Sequence, residues 1–232
     1  LFMGTKLIEG GDFGDTTADG TGQWLGTPNH PDLIALGATP AAPLNSWDNL
    51  LMAYLNGEID HPIWGVANSD AHNTGNVYSD ESNWDSRGDS DVGEAKNGVF
   101  VKKLNRGQLF RAIRQGRSFA TTGPSMYFEI NGKIMGQTAR ILPRKNKTAK
   151  LELTVDSESD TAVLGKIEII KNGEVIATQT PNTREFNFEL EDDVTQDSYY
   201  RVQVTSMEFA DNKPRFAYSN PIFVKLINKK RG

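Results

Sequence analysis

The chain has 232 residues, 37% of them hydrophobic and 24% charged, which suits one large domain or two modest ones and not wholesale disorder. Its net charge of −5 and pI near 5.3 argue against a general nucleic-acid or anionic-membrane surface. Cysteine is absent, so disulfides and thiolate metal sites are excluded, and no apolar run approaches the roughly 18 residues that a membrane helix needs.

Lys6 to Gly11 reads as a short strand that breaks at the glycine pair, placing Glu9 and Asp12 at or just beyond its end. Residues 12–45 are rich in Gly, Thr, Pro and Asp, with one apolar patch from Leu33 to Leu36; loops of this length are often functional. A helix follows, with Ser46 as N-cap and Asp48 in its first turn. Trp47, Leu50, Leu51, Tyr54 and Leu55 form one stripe at helical spacing, read as core, and Gly57 supplies a left-handed stop.

The apolar run Ile63-Trp64-Gly65-Val66-Ala67 ends in the polar turn Asn68-Ser69-Asp70-Ala71-His72-Asn73. Side chains two apart on an extended chain share a face, so strand geometry carried to the end would point Asp70 and His72 the same way. A carboxylate oxygen and an imidazole nitrogen converging there suit zinc or a transition metal. The plainer alternative is a turn in which Asp70 accepts backbone N–H bonds and His72 packs against its neighbours. Strand, helix, strand reads as a parallel crossover unit, and ligands collect at the carboxyl ends of such strands. Glu9, Asp12, Asp70 and His72 all belong to those ends.

Residues 74–98 form a second polar segment whose acidic spacing does not match an EF-hand. Val99 to Lys102 reads as a strand. Asn105 caps a second helix with Gln108 in a capping-box-like position; Leu109, Ala112 and Ile113 give its inner face, Phe110 flanks it and Gly116 ends it. From about Ser125 the periodicity becomes two-fold: Met126-Phe128-Ile130 before Asn131-Gly132, Leu151-Leu153-Val155, Ile167-Ile169 before Asn172-Gly173, then Phe186-Phe188-Leu190, Tyr200-Val202-Val204 and Ile222-Val224. Asn-Gly between alternating runs marks hairpins, and the series predicts an immunoglobulin- or fibronectin-like β-sandwich. Gly123-Pro124 punctuates the junction, giving domains at 1–124 and 125–232.

Asn68-Ser69-Asp70-Ala71-His72 resembles the last motif, usually G-S-D-A-H, of the PHP (polymerase and histidinol phosphatase) metallohydrolases. The segment from Leu104 to Gly123, LNRGQLFRAIRQGRSFATTG, is similar to the helix and final strand that close the barrel in one branch of that family. In that branch a β-sandwich follows, and Tyr200-Arg201-Val202 and Ser219-Asn220-Pro221-Ile222 look like its end. The resemblance implies α/β plus all-β architecture: the C-terminal part of a (β/α)7 barrel, then the sandwich. It also implies a two- or three-metal site (Zn, Mn or Fe) that hydrolyses phosphomonoesters or phosphodiesters through a metal-activated water. Asp70 and His72 would be metal ligands, Glu9 and Asp12 at most supports behind them, and Thr121, Thr122 and Gly123 would shape the closing strand.

The family's H-x-H motif does not occur, since His30, His61 and His72 are the only histidines. Asn68 replaces the usual glycine. The chain, which begins Leu1-Phe2, is expected to be part of a longer enzyme, to hold metal weakly or not at all by itself, and to lack robust activity. The competing reading is a non-catalytic binding or adhesion module whose sandwich recognises a glycan or protein. The four tryptophans at 24, 47, 64 and 84 all precede the sandwich, leaving Tyr199, Tyr200 and Tyr218 as candidate sugar contacts. The expected partner of the enzyme reading is a phosphorylated small molecule or phosphodiester, and the expected location is periplasmic or secreted.

Overall fold

The computed structural model describes residues 33–35, 46–67, 95–142, 147–208 and 213–227. A parallel unit comes first: β1 (Leu33–Ala35) pairs with β2 (Trp64–Val66), Leu33 opposite Trp64 and Ala35 opposite Val66, with α1 (Ser46–Asn56) between them. A parallel strand-helix-strand crossover is present, but its first strand is Leu33–Ala35, which the sequence pattern marks only as an apolar patch within a loop. The placement of Glu9 and Asp12 at the ends of this crossover therefore does not follow from it. The strand expected at Lys6–Gly11 lies outside the described residues. Trp47 and Leu51 of α1 are fully buried while Leu50, Tyr54 and Leu55 flank them. Gly57, at φ +77°, turns the chain out of the helix and sends its N–H back to the Tyr54 carbonyl at 3.1 Å.

Next come β3 (Lys96–Val99), α2 (Arg106–Arg114) and β4 (Ser118–Thr121). The strand expected at Val99–Lys102 sits earlier because its pairing with β4 is fixed by one glycine. Gly98 faces Phe119, and a Cβ there would lie 2.1 Å from the ring. The α2 cap is as read: Asn105 Oδ1 accepts from the Gln108 N–H at 2.9 Å. The return bond differs, since Gln108 Oε1 accepts from the Lys103 N–H at 3.1 Å and not from that of the cap residue. Gly116, at φ +66°, follows the helix.

The remainder is all β: β5 (Ser125–Ile130), β6 (Lys133–Ile134), β7 (Thr138–Ile141), β8 (Thr148–Asp156), β9 (Ala162–Lys171), β10 (Glu174–Gln179), β11 (Glu185–Asp193), β12 (Ser198–Glu208), β13 (Lys213–Ser219) and β14 (Ile222–Leu226). One sheet runs β11-β8-β5-β6. The other runs β10-β9-β12-β13-β4-β3, with β14 pairing β12 and β7. Both Asn-Gly pairs make the expected turns, with φ of 49° and 72° at Asn131-Gly132 and 51° and 84° at Asn172-Gly173.

Alternation puts Phe128, Ile130, Leu151 and Val155 of the small sheet against Leu164, Ile167, Ile169, Val202 and Val204 of the large one. Each large apolar side chain buried this way contributes roughly 1.5–3 kcal/mol. The chain is therefore mostly β and built around a sandwich, as expected. A PHP-type barrel is not among the described residues, where parallel α/β structure is confined to β1, α1 and β2 plus the short β7–β14 pairing.

The junction at Gly123-Pro124 is a turn between the two sheets. Thr121 Oγ1 donates to the Pro124 carbonyl at 2.6 Å and accepts from the Gly123 N–H at 2.9 Å. The strand before it, β4, pairs with β13 through Ala217 opposite Thr121 and Ser219 opposite Phe119. The large sheet thus draws strands from both sides of residue 124.

Candidate functional site at the end of the parallel unit

Asp70, His72, Glu9 and Asp12 lie outside the described residues. What the structure does describe is the strand that leads to the first pair. β2 and Ala67 are buried, and Asp70 follows three positions after Ala67 in sequence.

Two asparagine side chains hold that strand. Asn220 Oδ1 accepts from the Gly65 N–H at 2.7 Å, and its Nδ2 donates to the Gly65 carbonyl at 3.0 Å. Asn97 repeats the arrangement two residues on, accepting from the Ala67 N–H at 2.9 Å and donating to the Ala67 carbonyl at 2.7 Å. Each carboxamide carries one acceptor and two donors, so it can stand in for the peptide group of a neighbouring strand. A strand places the N–H and C=O groups of residues two apart on one edge. Gly65 and Ala67 are such a pair, and the two amides satisfy both on the way to the turn. Asn220 also donates to the Ser118 carbonyl at 3.0 Å, binding β2 to β4.

The helix is fixed separately. Asp48 and Arg201 are both fully buried and joined by two bonds of 2.7 Å, Nε to Oδ1 and Nη2 to Oδ2. The Tyr199 hydroxyl donates to Oδ1 at 2.7 Å, and the guanidinium lies 5.4 Å from the centre of the Trp47 ring. Arg201 Nη1 reaches Gln203 Oε1 at 3.1 Å, and Gln203 Nε2 reaches Glu168 at 2.7 Å, which carries the network toward the surface. Burial by itself would lower the Arg201 pKa, but the Asp48 charge and its hydrogen bonds outweigh that and raise it. Burial, and then the Asp48 charge, pushes the Tyr199 hydroxyl well above its ordinary value. Trp47 Nε1 completes the frame by donating to the Ile63 carbonyl at 2.9 Å, one residue before β2.

By sequence Asp48 falls in a first helical turn, beside a favourable dipole; its decisive partner lies 153 positions away. Thr122, expected to shape the closing strand of a barrel, instead follows a strand of the large sandwich sheet, its Oγ1 accepting and its N–H donating 2.9 Å bonds to the backbone of Phe216. Tyr199, Tyr200 and Tyr218 are corrected as candidate sugar contacts. All three are buried, because the large sheet is covered on both faces: Tyr200 points into the core between the sheets, while Tyr199 and Tyr218 pack with Trp47, Trp64 and Phe223 of the other cluster. The exposed tyrosine of the sandwich is Tyr127, 42% accessible, with its hydroxyl 2.6 Å from Glu129. Among the described residues no group of three or more Asp, Glu or His side chains is gathered as metal donors would be. No helix among them is long and apolar enough to cross a membrane.

No protein-family model matches the chain. An uncharacterized protein of Chlamydia pneumoniae is 29% identical over 143 residues, covering 55% of this chain and 22% of that protein. The match thus spans about a fifth of the relative's length. Two structures of a CARDB domain from Pyrococcus furiosus, one a crystal structure in complex with di-metal ions, are 20% identical over 45% of this chain and 90% and 96% of theirs. Their TM-scores are 0.30 and 0.29. Fibronectin(III)-like modules of Clostridium thermocellum CbhA are 16% identical over 44% of this chain and 99% of that one, with a TM-score of 0.25. Scores this low carry no weight, so the sandwich rests on its own strand pairing and the PHP resemblance on its sequence motifs.

Proposed function

We propose that the sandwich is a non-catalytic module that braces the closing unit of a metal-dependent phosphoesterase domain. The observation that carries this is the paired clamp of Asn220 and Asn97 on Gly65 and Ala67, which fixes a buried strand whose last described residue, Ala67, precedes Asp70 by three positions in sequence. In this reading Asp70 and His72 are metal ligands, further ligands come from elsewhere in a longer enzyme, and Glu9 and Asp12 act behind them. Bound divalent metal would supply polarisation of the phosphoryl oxygen and an acidified water. The chain's own contribution is to hold two ligands at the end of a rigid strand. The substrate class is a phosphomonoester or phosphodiester, met outside the cytoplasm.

Equilibrium dialysis against Mn²⁺ and Zn²⁺, with turnover of a nitrophenyl phosphodiester, tests the reading. The expected result is weak metal retention that falls to background in Asp70→Ala/His72→Ala, no robust turnover, and an unchanged melting temperature. Retention unaffected by the double substitution would overturn it.

The second reading is a recognition module, in which the sandwich binds a glycan or protein. Tyr127 favours it, as an aromatic ring exposed on the outer face of the small sheet, opposite Thr154 of β8. A metal-independent pull-down or glycan-array signal that Tyr127→Ala removes would support this reading over the first.

A further inference from the structure

Two solvent-open clefts share Arg117 in their linings. The larger, about 620 Å³, is lined by Tyr54, Trp64, Arg114, Arg117, Lys133 and Phe223, among others. The second, about 550 Å³, adds Lys102 and Arg111 and shares Gln115, Arg117 and Gln137 with the first. No aspartate or glutamate lines either. In a chain with net charge −5, five arginines and lysines therefore face connected space without a carboxylate among the described residues. His61 also lines the larger cavity, but its Nδ1 is held by Asp60 at 2.5 Å, so it is not counted with them.

Arg111 and Arg114 have an ordinary explanation, since cations in a last helical turn complement the dipole. That does not cover Lys102, Lys133 or Arg117, which come from outside the helix. Arg117 is the telling residue: its Nε is buried and has no hydrogen-bond partner among the described residues. An unmet buried donor is costly, and more so when charged, whereas the backbone groups of Arg117 and the Gln137 carboxamide oxygen beside it are paired. The Arg117 N–H bonds the Ala112 carbonyl at 2.9 Å, its carbonyl accepts from Phe100 at 2.9 Å, and Gln137 Oε1 accepts from Ile134 at 3.1 Å.

The walls are preformed. A Cβ at Gly116 would lie 2.3 Å from the Trp64 ring, and one at Gly136 would lie 2.0 Å from the Gln115 carbonyl. The backbone of Gly116 therefore lies flush on the Trp64 ring, and that of Gly136 on the backbone of Gln115 and Gly116. The cleft sits beside Trp64, at the amino end of β2, opposite the end that leads to Asp70.

We propose that this cleft binds a phosphoryl dianion, with Arg117 and Arg114 as guanidinium forks and Lys133 as a point charge. The volume is that of a small-molecule site. The shared chemistry is the phosphoryl group, carried either by an organic phosphate whose apolar part lies along Tyr54 and Phe223 or by inorganic pyrophosphate. The inference does not depend on the metal-ligand reading of Asp70 and His72.

Isothermal titration of the 232-residue chain in EDTA and low salt, with phenyl phosphate and with pyrophosphate, tests it. Expected is saturable binding at one equivalent. Affinity should fall at least tenfold in Arg117→Gln, and in Arg114→Glu/Lys133→Glu, whose wild-type side chains are exposed and need not be kept for folding. Tighter binding of phenyl phosphate assigns an organic phosphate, and tighter binding of pyrophosphate the inorganic source. Absence of saturable binding at millimolar ligand, binding seen only when metal replaces EDTA, or affinity unchanged in the folded double variant would each overturn the proposal.

Discussion

Arg201 and Asp48 form a fully buried, two-bond ion pair between a sandwich strand and the helix of the parallel unit. Taking both charges from water is costly, and the pair is sustained by its geometry together with Tyr199 and Gln203. Asp48→Ala leaves a buried guanidinium unmatched and is expected to destabilise the chain by about 3–5 kcal/mol. Asp48→Leu/Arg201→Met should recover most of that in urea denaturation. A double variant as unstable as Asp48→Ala would mean that the loss is packing and not charge.

The two asparagine clamps predict a graded pair of defects. Asn220→Ala strands the Gly65 N–H and carbonyl and removes a donor from the Ser118 carbonyl, all in buried surroundings. Each unmet group costs about 1–3 kcal/mol, so the total should be at least 2 kcal/mol. Asn97→Ala acts on a part-buried site and should cost less. Amide exchange at Gly65 should accelerate in the first variant and at Ala67 in the second.

Two glycines with similar backbone angles should respond differently to alanine. Gly57 has φ +77° and open space around its missing Cβ, so Gly57→Ala should cost only the left-handed penalty of about 1–2 kcal/mol. Gly116→Ala adds a collision with the Trp64 ring at 2.3 Å and should lower the melting temperature by more. Equal shifts in a thermal melt would show that the ring moves aside freely.

Alkaline pH should unfold the protein through its buried tyrosines. Burial, then the bond to Asp192, raises the Tyr200 hydroxyl, and Tyr199 is raised by burial and Asp48. The folded state therefore keeps protons that the unfolded chain gives up near pH 10. Stability is full below that value and falls as pH rises through it toward the folded pKa values. Tyr200→Phe should flatten the decline in a denaturation series from pH 8 to 11.5. Tyr127 is exposed and bonded to Glu129, which pushes it up to about 12, and it should ionise late in an ultraviolet titration and return to the ordinary range in Glu129→Gln.

Where a feature depends on residues close in sequence, it was legible. Helix α1 with its buried Trp47 and Leu51, the Asn105 cap, the Gly57 and Gly116 stops and both Asn-Gly turns follow from local periodicity and the backbone needs of single residues. The alternation from Met126 onward fixed which side chains face the core, because a strand's faces repeat every two residues. Tertiary structure decided the partners. Local pattern cannot distinguish a first-turn Asp48 in solvent from one buried against Arg201. A polar Asn220 past the end of a strand reads as turn chemistry until a bare edge of β2 is brought against it, 155 positions away. The Gly98 position of β3 and the joining of β4 to β13 likewise arise from long-range pairing, where buried backbone groups must find partners wherever the chain brings them.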